Sequence, residues 1–202
     1  KFPAPPLPLK VPPDVVRLKA GHLLWRISFL KGSHPAAWHD FRFFGPTLAR
    51  FDPHLPPPHL QNRGILYAAD APLTCLAEVF QATRTVDRFA GAPWLAGFEL
   101  RRAVDLLSLS GTWPTRAGAS RALNTGPRPR ARLWLQAIYA AYPRLQGLRF
   151  PSSMHANRRA AALFERARPA LPAAPVFHRA LADPALLPRL SAAAARIGYR
   201  LV

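Results

Sequence analysis

The stretch Arg63–Gln81 reads RGILYAADAPLTCLAEVFQ, and the rest of the chain is organised around it. Its apolar run Ile65–Ala69 predicts a short buried strand. Asp70 is a good helix N-cap, and Pro72 suits the first helical turn because a helix does not use the N–H at that position. We therefore predict a strand, a cap and a helix, whose apolar side carries Leu73, Leu76, Ala77 and Phe80.

Glu78 lies inside this predicted helix, on the side that it shares with Thr74 and Gln81. It is one of three glutamates in the chain, with Glu99 and Glu165. A glutamate on the polar side of a helix is most often simply solvated. Helical periodicity by itself therefore gives Glu78 no catalytic role.

Length and composition indicate one globular domain, because the chain has 202 residues and half of them are apolar. A single cysteine, Cys75, excludes an internal disulfide. Together with the lack of a charged-then-apolar leader, it favours a reducing, cytoplasmic location. No apolar run reaches the ~18 residues of a membrane helix, so we predict no membrane span.

The net charge is +18, from 28 basic and 10 acidic residues. Such a charge fits a nucleic-acid partner, an acidic protein or a phosphorylated small molecule. Only four of the basic residues are lysines, and the arginines are scattered without a run of five or six. Because basic arms that bind nucleic acid are usually clustered, this scatter weakens the nucleic-acid interpretation.

The chain opens with a proline-rich segment, which we predict to be an extended arm over residues 1–21 that is ordered only if it docks. The folded domain is predicted to span residues 22–202. Its further predicted strands are 22–27, pieces of 93–107 and 199–202. Residues 148–154 are predicted to be a short strand that runs into a polar turn, and 160–166 is left open between strand and helical turn. Its further predicted helices are 129–141 and 184–197, the second capped by Gly198.

Residues 38–60 are aromatic and broken by prolines, which predicts a long irregular loop with short extended pieces. Strands and helices mix along the chain without strict alternation. The predicted fold class is therefore α+β, a single domain with a mixed central sheet and flanking helices.

The strong catalytic signatures are missing, since the chain has no GxGxxG, Walker loop, GxSxG or HExxH. With no cysteine cluster and few carboxylates, we expect no metal site. Ser153 and His155 are close in sequence, but no acidic residue lies near them to complete a triad.

A set of dispersed polar residues remains at the ends of predicted strands and in the central helix. Taken singly, these residues have ordinary structural interpretations. Taken together they suit a dinucleotide, with arginine forks for phosphates, an aromatic ring for stacking and a carboxylate for a developing cation. The set is Arg26, Arg50, Tyr67, Glu78 and the pair Ser152–Ser153.

Four segments in order resemble the RES-domain family, whose members are toxins of bacterial toxin–antitoxin pairs. They are LWRIS (24–28), GPTLARFD (45–52), RGILYAAD with CLAEVF (63–80) and FPSSM (150–154). The resemblance covers residues 22–202 and implies an NAD-consuming enzyme with a fold similar to that of ADP-ribosyltransferases.

The resemblance also implies roles for individual residues. The two family arginines map to Arg26 and Arg50, with Arg42 a rival for the second because Ala49 stands where many relatives have glycine. The family tyrosine maps to Tyr67 and its glutamate to Glu78. Its serine maps to Ser152, and the adjacent Ser153 leaves the choice open.

In such an enzyme Glu78 would stabilise the cationic ribose that forms when nicotinamide leaves, and the acceptor would be water, inorganic phosphate or a protein side chain. We favour degradation of NAD by phosphorolysis or hydrolysis over protein ADP-ribosylation. The expected partner is an antitoxin, Xre-like and DNA-binding, and the expected assembly is a homodimer or a toxin–antitoxin hetero-oligomer. A basic nucleic-acid-binding protein and a non-catalytic partner-binding module are the remaining alternatives.

Overall fold

The computed structural model describes residues 2–155 and 157–202. Its strands are β1 (Val15–Leu18), β2 (Leu23–Phe29), β3 (Arg42–Gly45), β4 (His59–Ala69), β5 (Thr85–Val86), β6 (Pro93–Glu99), β7 (Val104–Ser108), β8 (Gly147–Pro151), β9 (Arg159–Phe164), β10 (Phe177–Ala180) and β11 (Arg200–Leu201). Its α-helices are α1 (Pro72–Val79), α2 (Trp113–Arg116), α3 (Ala122–Thr125), α4 (Arg128–Ala141) and α5 (Leu187–Ile197). Two 3-10 helices span Glu165–Ala170 and Pro184–Leu186.

A nine-stranded mixed sheet dominates the described part of the chain, in the order β1-β7-β8-β9-β4-β2-β6-β10 with β3 paired to β4. The pairs are antiparallel except for the parallel pair β7–β8. A small parallel sheet joins β11 to β5. The predicted α+β class with a mixed sheet is confirmed.

Two hydrophobic clusters stabilise the fold. The larger one contains Trp113 and Trp134 together with Leu76 of α1, and the smaller one contains Trp38 and Phe98. Alternate residues of β4 belong to different clusters, with Ile65 in the larger and Leu66 in the smaller. Since successive side chains of a strand point to opposite faces, the two clusters pack on opposite faces of the sheet.

The turn from β4 into α1 differs from the prediction at one residue. Pro72 occupies the first helical turn as predicted, but the N-cap is Ala71 and no side chain caps the helix. The prediction that Asp70 caps α1 is therefore wrong. Its carboxylate instead accepts a hydrogen bond from Arg149 and lies 3.1 Å from Nε2 of His22. These partners occupy both carboxylate oxygens, and the Asp70 side chain accepts no hydrogen bond from the first amides of the helix.

The proline-rich segment docks on the domain. Within residues 1–21, β1 pairs with β7, so the sheet begins before residue 22. Trp134 Nε1 donates to the carbonyl of Pro3 at 2.9 Å, and the Tyr142 hydroxyl donates to the carbonyl of Val11 at 2.6 Å. Through these hydrogen bonds, carbonyl groups of the proline-rich segment are paired with side chains of α4 and of the residue that follows it.

The other predicted elements compare well with the structure. Helices α4 and α5 lie where the apolar spacing predicts them, and Gly198 ends α5 with φ 69°. The segment 160–166, which the sequence left open, is strand β9 followed by the start of a 3-10 helix. Residues 38–60 contain β3 and the first residues of β4, and are otherwise irregular.

Among the helices of the described residues, none combines the length and the hydropathy that a bilayer crossing requires.

Gly147, at the start of β8, has φ 152°, and a Cβ there would lie 2.2 Å from the carbonyl oxygen of Ala162 on β9. We expect Gly147→Ala to lower the free energy of unfolding by about 2–5 kcal/mol, because strain and a clash with backbone add. Urea denaturation measures this loss.

Gly111→Ala is the matched control, because a Cβ at that position comes no nearer than 3.5 Å to Asp14. It should change the unfolding free energy by less than about 0.5 kcal/mol. Equal losses in the two variants would contradict the close approach of β8 to β9.

Candidate active site

A cavity of about 1050 Å³ opens beside the sheet, between α1 and the connection from β3 to β4. This volume lies at the upper end of the range of small-molecule sites. We call it the substrate cavity. Its charged lining consists of two carboxylates, Asp40 and Glu78, and five arginines, Arg26, Arg42, Arg50, Arg128 and Arg168.

Glu78 projects from α1 into the substrate cavity, where its side chain is partly buried. Its Oε1 accepts a hydrogen bond of 2.5 Å from Oγ of Ser152, in the turn after β8. No described residue donates to Oε2. The glutamate is therefore not the solvated surface residue that helical periodicity favours, and one of its oxygens is held while the other is available.

Ser152 and Ser153 have different environments. Ser152 is buried, and its Oγ accepts from the amides of Met154 at 3.1 Å and His155 at 3.0 Å while donating to Glu78. Ser153 is exposed and lines the cavity. Ser152 can therefore fix the rotamer of Glu78, and Ser153 can meet a ligand.

Arg26 lies on β2 in the cavity wall, and its Nη1 donates to the carbonyl of Asp40 at 2.9 Å. Burial lowers the pKa of Arg26 to about 10, against the opposing effect of the Asp40 carboxylate. The guanidinium therefore stays protonated at neutral pH, in a site where little water shields its charge.

Arg42 and Arg50 both line the cavity but differ in their partners. Arg42 forms a salt bridge of 3.0 Å with the buried Asp52. Arg50 donates to the carbonyl of Gly126, and burial together with the nearby Arg128 lowers its pKa. In the described part of the chain no carboxylate forms a salt bridge with Arg50, so its charge is the more available to a ligand.

Tyr67 presents its ring to the cavity from β4. Its hydroxyl donates to the carbonyl of Phe51 and accepts from the Phe51 amide at 2.9 Å. Burial raises the pKa of Tyr67 above its usual value. Because the backbone already uses the hydroxyl, the ring face is the part of Tyr67 that can contact a ligand.

Asp52 is a feature that sequence reasoning missed. Its side chain is fully buried and accepts from Thr47 N at 2.7 Å, Thr47 Oγ1 at 2.9 Å and Arg42 Nη2 at 3.0 Å, with a further bond to Nδ1 of His54. Burial disfavours its charge, but the bonds from His54 and Thr47 and the charge of Arg42 outweigh burial and hold the pKa of Asp52 below its usual range. The carboxylate thus ties together the loop that carries Arg42 and Arg50.

Two further arginines were also missed. Arg128, near the start of α4, donates to Oε1 of Gln81 at 3.0 Å, and the Arg168 guanidinium lies 5.3 Å from the ring centroid of Phe41. The sequence around Arg128 and Arg168 does not distinguish them from the other scattered arginines. Only their position at the substrate cavity identifies them as candidate site residues.

The remaining sequence candidates do not assemble. His155 Nδ1 lies 2.9 Å from Oγ1 of Thr74, and no hydrogen bond joins it to Ser153 among the described residues. Over residues 2–155 and 157–202, no group of three or more His, Cys, Asp or Glu side chains is placed to hold a metal ion.

Comparisons with known proteins found similarities in sequence family and in fold. A family model, the RES domain, matches residues 23–185. A solved structure with a similar fold is the crystal structure of the M. tuberculosis MbcT-MbcA toxin–antitoxin complex, with a TM-score of 0.54 at 19% identity over 87% of this chain and 92% of that chain. No curated protein sequence matches the chain.

We expect Asp52→Ala to lower the free energy of unfolding by about 3–5 kcal/mol, because it leaves Arg42 and several buried donors without an acceptor. Asp105→Ala is the matched control, since Asp105 pairs with the exposed Arg17. It should cost about 1 kcal/mol or less. Urea denaturation compares the two, and an equal or smaller loss for Asp52→Ala would show that this carboxylate does not organise the loop.

The same carboxylate gives a pH dependence. Because the pKa of Asp52 is lower in the folded than in the unfolded state, its contribution is complete above the unfolded value of about 3.9 and is lost as the pH falls below it. Wild type should therefore lose stability more steeply than Asp52→Asn below about pH 4. Parallel curves would contradict the shift.

Proposed function

The chain belongs to the RES domain family, and from this premise we propose that it is the toxin of a toxin–antitoxin pair that degrades NAD by cleaving the bond between nicotinamide and ribose. The observation that carries the proposal is the position of Glu78, a carboxylate held by Ser152 inside a cavity with five arginines. The resemblance of the fold to a solved toxin from a toxin–antitoxin complex supports it. We also propose that the fold is related to that of ADP-ribosyltransferases. The mixed sheet is compatible with this relationship.

The chemistry of the bond explains why one carboxylate suffices. The nicotinamide ring is positively charged in NAD and becomes neutral when it leaves, so no general acid has to protonate it. Positive charge instead develops on the ribose, in an oxocarbenium-like transition state. A fixed carboxylate beside that carbon stabilises the charge without reorganising during the reaction.

Ser152 prepares Glu78 for this role. Its hydroxyl, fixed by the amides of Met154 and His155, donates to Oε1 and leaves Oε2 for the ribose. Ser153 and the ring of Tyr67 would orient nicotinamide and its ribose from the cavity wall. Because such side chains are already fixed in place, less conformational entropy is lost when the transition state forms.

The arginines would hold the pyrophosphate. Arg26 and Arg50 keep charges that no described carboxylate pairs with, whereas Asp52 partly neutralises Arg42. Guanidinium forks bind phosphate oxygens through paired, charge-assisted hydrogen bonds. This difference supports Arg50 over Arg42 as the second phosphate-binding arginine.

The acceptor completes the reaction. Water would give hydrolysis and inorganic phosphate would give phosphorolysis, and the cationic lining of the cavity favours entry of an anionic acceptor. Protein ADP-ribosylation is the alternative within the same chemistry. We further propose that the protein acts in the cytoplasm and that an antitoxin, Xre-like and DNA-binding, holds it inactive in a hetero-oligomer.

Glu78→Gln keeps the shape of the side chain and the acceptor for Ser152 but removes the negative charge. We expect kcat for NAD loss to fall by about 100-fold or more with little change in KM, because the charge acts in the transition state. The measurement is NAD consumption by antitoxin-free protein, with and without inorganic phosphate.

Glu99→Gln is the matched control, since Glu99 is exposed at the end of β6. Loss of NAD only with phosphate would establish phosphorolysis, and loss in both conditions hydrolysis or transfer. If wild type leaves NAD intact in both conditions, or if Glu78→Gln matches wild type, the proposal is wrong.

Arg50→Gln should raise KM for NAD by about tenfold or more, because it removes at least one charge-assisted hydrogen bond to the substrate. The midpoint of urea unfolding should stay near that of wild type. Arg42→Gln should mainly lower stability, because it leaves Asp52 without its cation. Kinetics and denaturation on both variants separate the two. A large KM effect from Arg42→Gln alone would transfer the phosphate-binding role to Arg42.

A further inference from the structure

A second cavity, shallow and wide open to solvent, with a volume of about 630 Å³, lies between the connection from β1 to β2 and the ends of β4, β8 and β9. We call it the basic cavity. Its charged lining is Arg17, Lys19, His22, Asp70, Arg149 and Arg159. None of these residues lines the substrate cavity, so the two are separate sites in the described part of the chain.

Arg149 is the unusual member of this lining. Its side chain is only 3% exposed, and Nη2 donates to Oδ2 of Asp70. Its Nε and Nη1 are buried and have no hydrogen-bond partner among the described residues. Native proteins rarely leave buried donors of a charged group unmatched, so the two donors indicate an acceptor that comes from outside the chain.

The charges around Arg149 are not balanced. Asp70 is the sole carboxylate of the lining, and His22 also approaches it, with Nε2 3.1 Å from Oδ1. Arg17 is neutralised by Asp105, with two bonds of 2.7 Å. Lys19 and Arg159 are exposed, and no described carboxylate forms a salt bridge with either. The basic cavity is therefore lined by two cations without a salt-bridge partner, Lys19 and Arg159, and by the buried guanidinium of Arg149 with its two unmatched donors.

We propose that the basic cavity is a second binding site, which takes a small phosphate-bearing anion, with Arg149 as its anchor and Lys19 and Arg159 as its outer contacts. A turn of the Arg149 side chain brings Nε and Nη1, which are buried in this structure, to the anion for two hydrogen bonds to phosphate oxygens, and the two cations neutralise the charge that remains. The shared chemistry is a phosphoryl group, present in free phosphate and in a mononucleotide. The site does not depend on the reaction at Glu78.

Phosphate titration followed by ¹H–¹⁵N NMR tests the proposal, because each resonance reports where the anion binds. In wild type without NAD, the amides of Lys19, His22 and Asp70 and the Nε–H of Arg149 should shift in a saturable way. The same shifts should persist in Arg50→Gln, which weakens the substrate cavity only. Absence of saturable shifts, or their loss in Arg50→Gln, would overturn the second site.

The double variant Lys19→Gln/Arg159→Gln should weaken this binding by about tenfold, since it removes two charged partners on exposed side chains that the fold does not need. Arg144→Gln/Arg189→Gln is the matched control. It removes the same charge from exposed positions outside both cavities and should keep Kd within about twofold of wild type, because distant charges are screened. Equal weakening in both double variants would mean that net charge alone attracts phosphate, and would overturn the site.

A parallel titration with 5′-AMP separates the two sources of the phosphoryl group. Binding at the same resonances at least about tenfold tighter than phosphate assigns the site to a nucleotide, and binding of equal strength assigns it to free phosphate. Shifts confined to the substrate cavity with either probe would overturn the proposal.

Discussion

The buried carboxylate of Asp52 is the interaction on which the proposed site depends. It accepts bonds from Thr47, Arg42 and His54 at once, and so fixes a loop of the segment 38–60 that has little regular structure of its own. The preceding residue, Phe51, holds the hydroxyl of Tyr67 through its backbone. One desolvated charge with several donors therefore places an aromatic ring and two arginines in the wall of a single cavity, in a chain with few acidic residues to spare.

The cavity concentrates cations that the rest of the fold leaves unpaired. Arg26 and Arg50 are partly buried and make their visible bonds to backbone carbonyls rather than to carboxylates. Partial burial of a charge without a salt-bridge partner lowers stability, and such arrangements are typical of sites that bind ligands. The arginines, scattered in the sequence, form a local concentration of positive charge only after folding brings together β2, β3, the loop before β4, α4 and the 3-10 helix Glu165–Ala170.

The same sheet contributes residues to both proposed anion-binding sites. Strand β8 carries Arg149 toward the basic cavity and leads, through Phe150 and Pro151, to the serines beside Glu78. Asp70 similarly lies between β4 and α1, where it binds Arg149 two residues before the start of the helix that carries Glu78. Because successive residues of a strand face opposite sides, one strand can serve two separate cavities.

The sequence by itself determined the local elements and, through four ordered segments, the family. The apolar run Ile65–Ala69, Pro72 in the first turn of α1, the helical spacing of α4 and Gly198 after α5 all act over a few residues, so their patterns are visible in the chain. Arg26, Arg50, Tyr67, Glu78 and the two serines were candidates by resemblance, and the fold brings them to one place, although their roles stay predictions.

Only the tertiary structure decided where the buried polar groups pair. Ser152 and Glu78 are 74 residues apart, and Arg149 and Asp70 are 79 apart, so no local pattern predicts either bond. The capping prediction for Asp70 failed for this reason: a distant guanidinium competes with the helix amides for its oxygens. Propensity and periodicity describe what a segment can do alone, whereas a charge removed from water takes the partner that the complete fold places within reach.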